Sequence, residues 1–161
     1  MQRLSDHSIR FLHLADLHFG MENHGRPDPE TGINSRLLDF SRTLQKVLDQ
    51  ALDLGIDAVL FAGDAYRNNR PTPTQERELA RHIERIASAG LPLVMIIGNH
   101  DLPPARGLAS SLDVFRTLKL PQVYLIDKPE LRTIQTRQGP LQIVGIPYPT
   151  RHKLIAKTEA S

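Results

Sequence analysis

No cysteine occurs in the 161 residues of this chain. That absence removes disulfides, thiolate zinc sites and a cysteine nucleophile together, and it is compatible with a reducing compartment. Any metal must therefore sit on histidine, carboxylate or amide groups. Long hydrophobic runs are missing too. The longest, residues 91–97, is interrupted by Pro92 and far too short to span a bilayer, and residues 1–8 are polar, without the apolar stretch of a secretory signal. A cytoplasmic address with no membrane association is the resulting expectation. Excess charge of one sign is also absent. The formal net charge is +2, so a pI near 9.2 reflects sparse buffering above neutrality, and polyanion binding cannot rest on it.

What remains suits one soluble globular domain: 40% of the residues are hydrophobic and 24% charged. At this length folding buries roughly 70% of the unfolded chain's surface, enough for a core without staples. Of the 20 basic residues 15 are arginine, the planar donor suited to phosphate and carboxylate.

The pattern alternates strand and helix. Residues 9–14 are apolar enough for a buried strand, and a loop rich in Gly, Pro, Asn and Asp follows over residues 20–31. From Ser35, apolar positions repeat at three and four as far as Leu52, predicting a helix that Gly55 ends. Residues 58–62 form the second strand. Thr72-Pro73-Thr74-Gln75 has the form of a capping box with proline at the first helical position, and Leu79, Ile83 and Ile86 carry the apolar stripe towards Gly90. A third strand covers residues 93–97. This order implies a parallel sheet covered by helices. Beyond Asp101 a short helix at residues 111–118 and a strand at 123–126 lead to a predicted hairpin, residues 131–135 and 141–145, joined across Gly139-Pro140. The tail, residues 151–161, carries no sheet signal, and residues 1–150 read as one domain unit.

In an open parallel sheet, ligands bind outside the carboxyl ends of the strands. There the chain places Asp16 and His18 after the first strand, Gly63-Asp64 after the second, and Gly98-Asn99-His100-Asp101 after the third. If the chain stays extended past residue 14, Asp16 and His18 share a face and reach one ion. Asp64, with two carboxylate oxygens, can bridge a pair of divalent ions, and Asn99 can offer an amide oxygen to the second. This mixed oxygen and nitrogen set suits Mn²⁺ first, then Mg²⁺, Fe or Zn. Two such ions clamp the attacking and leaving oxygens of an in-line displacement at phosphorus. His100 can protonate the leaving group, and Asp101 can orient that imidazole.

Each motif alone is an ordinary turn; their succession after three consecutive strands of one sheet is what points to chemistry. His13, out of phase with Leu12, Leu14 and Asp16, is expected to face the helices or a sheet edge. His7, His24, His82 and His152 lack strand-end placement, and His82, between Arg81 and Ile83, is expected to be solvated. Arg67, Asn68 and Arg70 could line a DNA phosphate path, or belong to an ordinary loop before Pro71.

Residues Leu14-Ala15-Asp16-Leu17-His18, Gly63-Asp64-Ala65-Tyr66 and Gly98-Asn99-His100-Asp101 resemble three signatures of the calcineurin-like metallophosphoesterases, and more closely the SbcD-type DNA-repair nucleases. Arg70-Pro71-Thr72-Pro73-Thr74 and Gly32-Ile33-Asn34-Ser35-Arg36 are similar to that subgroup. The resemblance implies an α/β double β-sandwich flanked by helices, with Asp16, His18, Asp64 and Asn99 as metal ligands and His100 acting on the leaving group. It also implies manganese-dependent exonuclease and endonuclease action on DNA, homodimerisation and an SbcC-type ATPase partner.

Two departures qualify it. Arg67 stands where the wider family often has a histidine, and the family's later Gly-His and Gly-His-x-His motifs do not occur before Ser161. Four side-chain ligands cannot saturate two ions that each take roughly six positions. The expectation is therefore the first half of a longer nuclease, weak or inactive as a piece. Two alternatives stay open: a module that docks a partner or dimerises through the helices starting near Thr74 and Ser111, and a small-molecule phosphoesterase.

Overall fold

In the computed structural model, which describes residues 8–105 and 107–150, β1 (Phe11–Leu14), β2 (Ala58–Phe61), β3 (Leu93–Ile96) and β4 (Val123–Ile126) form one parallel sheet in the order β1-β2-β3-β4. The helices α1 (Ser35–Asp53), α2 (Pro73–Ser88) and α3 (Asp113–Thr117) lie between them in the chain. Right-handed crossovers that add strands in one direction carry every helix to the same face. The opposite face is left to the antiparallel pair β5 (Glu130–Thr136) and β6 (Gly139–Gly145). The expected tail at residues 151–161, His7 and His152 lie outside the described residues.

Strand alternation divides the core in two. Val59, Phe61, Leu93 and Met95 meet Leu44, Leu48, Leu79, Ile83 and Phe115 on the helical face, while Ala58, Val94 and Ile126 meet Ile134, Leu141 and Ile143 of the hairpin on the other. This is a mixed α/β layering of helices, parallel sheet and second sheet, as the metallophosphatase fold requires.

Local signals account for the element ends. The Asn34 side chain accepts the Arg36 N–H at the start of α1, and Thr72 and Gln75 close the expected capping box at α2 with Pro73 in its first turn. At the far end of the sheet, buried Asp57 accepts the Arg10 N–H at 2.9 Å and pairs with Arg137 at 3.5 Å. Arg137 also donates to the Ile56 carbonyl at 2.6 Å, which ties the hairpin turn to the α1–β2 connection.

Two expectations are corrected, and one is decided between its alternatives. The hairpin turns at Arg137-Gln138, not across Gly139-Pro140: the Thr136 hydroxyl donates to the Gly139 carbonyl at 2.7 Å, and Pro140 already pairs with Gln135 inside β6. Of the two positions expected for His13, the helices and a sheet edge, the structure gives the edge. Leu12 and Leu14 pack on the helical side, so the residue between them points to the groove shared with Leu60, Val94 and Ile143, on the edge strand of the sheet. His82 is buried rather than solvated, because it falls with Leu79, Ile83 and Ile86 on the inward stripe of α2. Its Nε2 lies 2.8 Å from the Ser41 hydroxyl, and its ring meets Phe19 edge-on at 6.3 Å.

Burial holds His82 below the ordinary imidazole value, with Glu78 pulling the other way. The unfolded chain, titrating near 6.5, therefore binds more protons than the folded one in the window below that pH. Stability is full above about pH 6.5 and is lost as the pH falls towards the folded value. Denaturant melts of wild type and His82→Gln from pH 7.5 to pH 5 should show the variant with the shallower loss; equal slopes would remove His82 from the pH response.

Candidate metal centre

Beyond the last paired residues of β1 and β2 the two chains continue side by side. The Asp16 N–H donates to the Gly63 carbonyl at 3.1 Å, His18 N–H to Asp64 at 3.0 Å and Phe19 N–H to Ala65 at 2.9 Å. They are not extended, however. Asp16, His18 and Asp64 have φ of 54°, 47° and 57°, the left-handed region that side-chain-bearing residues adopt infrequently. The pleat argument for Asp16 and His18 is thus corrected. Left-handed backbone at both residues, not strand alternation, accompanies the approach of Asp16 Oδ1 to within 3.6 Å of His18 Nε2. Three such residues at one rim are backbone strain placed where polar side chains converge.

Ligand-capable atoms of His18, Asp64 and His100 all lie within 4.8 Å of one another. The His18 and His100 rings meet edge-on with centroids 4.7 Å apart. Asp64 is buried, His18 half-buried and Asp16 open to solvent. Asn99 is exposed on the same turn as His100, and its side chain makes no hydrogen bond among the described residues. Two imidazoles and a carboxylate at this spacing match the donor chemistry of a divalent transition ion, so these residues fit a metal. A cleft of about 490 Å³ between residues 22–34 and the start of α2 contains none of them, so the cluster stands on the open rim.

Backbone contacts orient the cluster, and they are what sequence reasoning missed. His100 Nδ1 lies 2.6 Å from the Arg67 carbonyl. A carbonyl only accepts, so Nδ1 carries a proton towards it and Nε2 is the ring nitrogen left to face the cluster. Asp64 Oδ1 accepts the His100 N–H at 2.8 Å, which commits part of the carboxylate expected to bridge two ions.

The role expected of Asp101 is corrected. It is fully buried, and its oxygens accept the N–H groups of Asp64 at 2.7 Å, Ala65 at 2.9 Å and Gly98 at 3.0 Å, not the imidazole beside it. Burial pushes this carboxyl above the ordinary value against three donors that favour its charged form. Tyr66, also fully buried, has its phenol raised well out of reach of neutral pH by the same desolvation.

Arg67, Asn68 and Arg70 lie on the loop after Asp64, with Arg67 and Arg70 exposed. The Arg67 guanidinium lies 3.4 Å from Asn23 Oδ1, and Asn68 Oδ1 accepts the Arg70 N–H at 3.0 Å in a local turn.

A family model of the calcineurin-like phosphoesterases matches residues 9–152. The chain belongs to that family. This calcineurin-like phosphoesterase is similar to the DNA double-strand break repair protein Mre11 of Haloferax volcanii, 33% identical over 111 residues that cover 69% of this chain and 23% of that protein. Mre11 of Methanosarcina mazei is 30% identical over 115 residues, 71% of this chain and 17% of the relative. The SbcD component of the nuclease SbcCD of Bacillus subtilis is 33% identical over 105 residues, 65% of this chain and 25% of the relative. The chain thus spans a quarter or less of the length of these relatives. Among the described residues no helix is long and apolar enough to cross a membrane.

Proposed function

We propose that this chain is the first part of a metal-dependent DNA phosphodiesterase, residues 1–150 forming the front of its nuclease domain. The observation that carries the reading is the convergence of His18, Asp64 and His100 within 4.8 Å at the carboxyl rim of a parallel sheet. Asp16, His18, Asp64 and Asn99 would hold two divalent ions, Mn²⁺ first by ligand type. Ions held there would neutralise phosphoryl charge and acidify a water enough to be deprotonated near neutrality.

The remaining steps belong to the chain. Asp64, fixed by the His100 N–H, keeps its free lone pairs turned to the cluster. His100 keeps Nδ1 on the Arg67 carbonyl, so a second proton taken up on Nε2 is the one it delivers to the leaving alkoxide, a contribution of roughly 10²- to 10⁴-fold. Arg67, Asn68 and Arg70 would contact DNA phosphates beside the cluster. By the relatives' names the reading extends, for the longer protein, to nuclease action in double-strand-break repair, and the family resemblance adds exonuclease and endonuclease action on DNA. An SbcC-type ATPase partner, homodimerisation and a cytoplasmic address go with it.

Four side-chain ligands leave much of both coordination shells to water. The expected result with Mn²⁺ and linear duplex DNA is therefore measurable Mn²⁺ uptake with cleavage weak or absent. Robust chelator-sensitive cleavage would contradict the incomplete site, and no Mn²⁺ uptake would contradict the metal reading. Exposed Leu108, Val114 and Leu118 around α3 favour a second reading, a docking or self-association surface. Sedimentation unchanged by chelator supports that reading as independent of metal.

A further inference from the structure

Asp101 and Asp64 hold each other's turns. Asp101 Oδ2 takes the Asp64 and Gly98 N–H groups and its Oδ1 takes the Ala65 N–H, while Asp64 Oδ1 takes the His100 N–H one residue before Asp101. The turn after β2 and the turn after β3 are thus cross-linked by two carboxylates, one of them wholly buried and spent on backbone.

We propose that Asp101 is a positioning residue for the cation cluster: it locks the Asp64 carboxylate at its distance from His18 and His100 before an ion arrives. The inference rests on the metal reading above. Its physical basis is that a fully buried carboxylate whose two oxygens are turned to three backbone donors is not presented to an ion, so its effect on the cluster is geometric. It also holds Asp64 in the left-handed conformation, φ 57°, from which the side chain joins the cluster. Preset ligands bind an ion without the ordering cost that loose turns impose.

Asp101→Asn tests this, because an amide substitutes an NH₂ for one acceptor oxygen and sets a donor against a donor. Mn²⁺ affinity is measured by calorimetry on this chain, at a temperature where circular dichroism shows wild type and variant both folded. The expected result is about 10- to 100-fold weaker binding, the range for groups that orient metal ligands. Equal affinity would overturn the positioning role alone, since a residue serving only global stability leaves the folded site unchanged. Failure of wild type to bind Mn²⁺ would overturn the metal reading, and the positioning claim with it. Hydrogen exchange on the wild type keeps the proposal exposed should Asp101→Asn not fold. The amides of Asp64, Ala65 and Gly98 should be protected without metal; protection gained only on adding Mn²⁺ would show that the site is not preset.

Discussion

Replacing Asp64 with alanine is expected to abolish measurable Mn²⁺ binding, a loss exceeding the roughly 100-fold that perturbing an outer-shell partner costs. Asp64 is the one carboxylate among the three groups that converge, and the other two are imidazoles. Without it the convergent group loses its buried carboxylate, leaving two imidazoles and only the solvent-exposed Asp16 carboxylate beside His18. The substitution also acts on the fold. Alanine at φ 57° is less tolerated than aspartate, and the His100 N–H loses its acceptor. Together these cost about 1–3 kcal/mol of stability.

Asp64→Asn separates the effects. It keeps an oxygen for the His100 N–H and tolerates the left-handed backbone, but lacks the charge. This variant should melt close to wild type and still fail to take up Mn²⁺. Wild-type uptake by Asp64→Asn would remove the carboxylate from the metal reading.

Much of this is legible in the sequence because two periodicities carry it. The repeat at three and four from Ser35, the capping box at Thr72 and the apolar runs at residues 58–62 and 93–97 mark α1, α2, β2 and β3 to within a residue or two. Periodicity also fixes which rim receives Asp16, His18, Asp64 and His100, since each follows its strand directly. It does not say how they converge. The pleat puts Asp16 and His18 on one face, whereas left-handed backbone accompanies their approach and leaves no periodic trace. Asp101 misleads for a related reason. Adjacency in sequence suggests contact with His100, but the contacts that decide its role cross 36 and 37 residues. His82 shows the same limit at the helix surface. Its polarity suggests solvent, although its phase with Leu79, Ile83 and Ile86 already places it inside.

One further signal lies in the sequence: a glycine stands at the end of each of two neighbouring parallel strands, Gly63 before Asp64 and Gly98 before Asn99. A Cβ built on Gly63 would lie 2.7 Å from the Gly98 Cα and N, and one on Gly98 would lie 2.5 Å from the Asp64 N and press on its carboxylate. The two turns approach as closely as backbones can, which is what lets one Asp101 carboxylate reach both. Gly98→Ala should therefore do more than crowd the rim. The backbone atoms in its way have no flexible end to swing aside, so the turns must separate, at about 3 kcal/mol. For a chain of this size that lowers the melting temperature by roughly 6–12 °C. Separation also stretches the Asp101 bonds to Asp64 and Ala65 and moves the Asp64 carboxylate away from His18. Mn²⁺ affinity should fall alongside stability, although Gly98 has no side chain to offer an ion. A Gly98→Ala protein with wild-type melting and wild-type Mn²⁺ affinity would mean that the turns are not held in contact, and that the cluster owes its geometry to something other than the meeting of these two glycines.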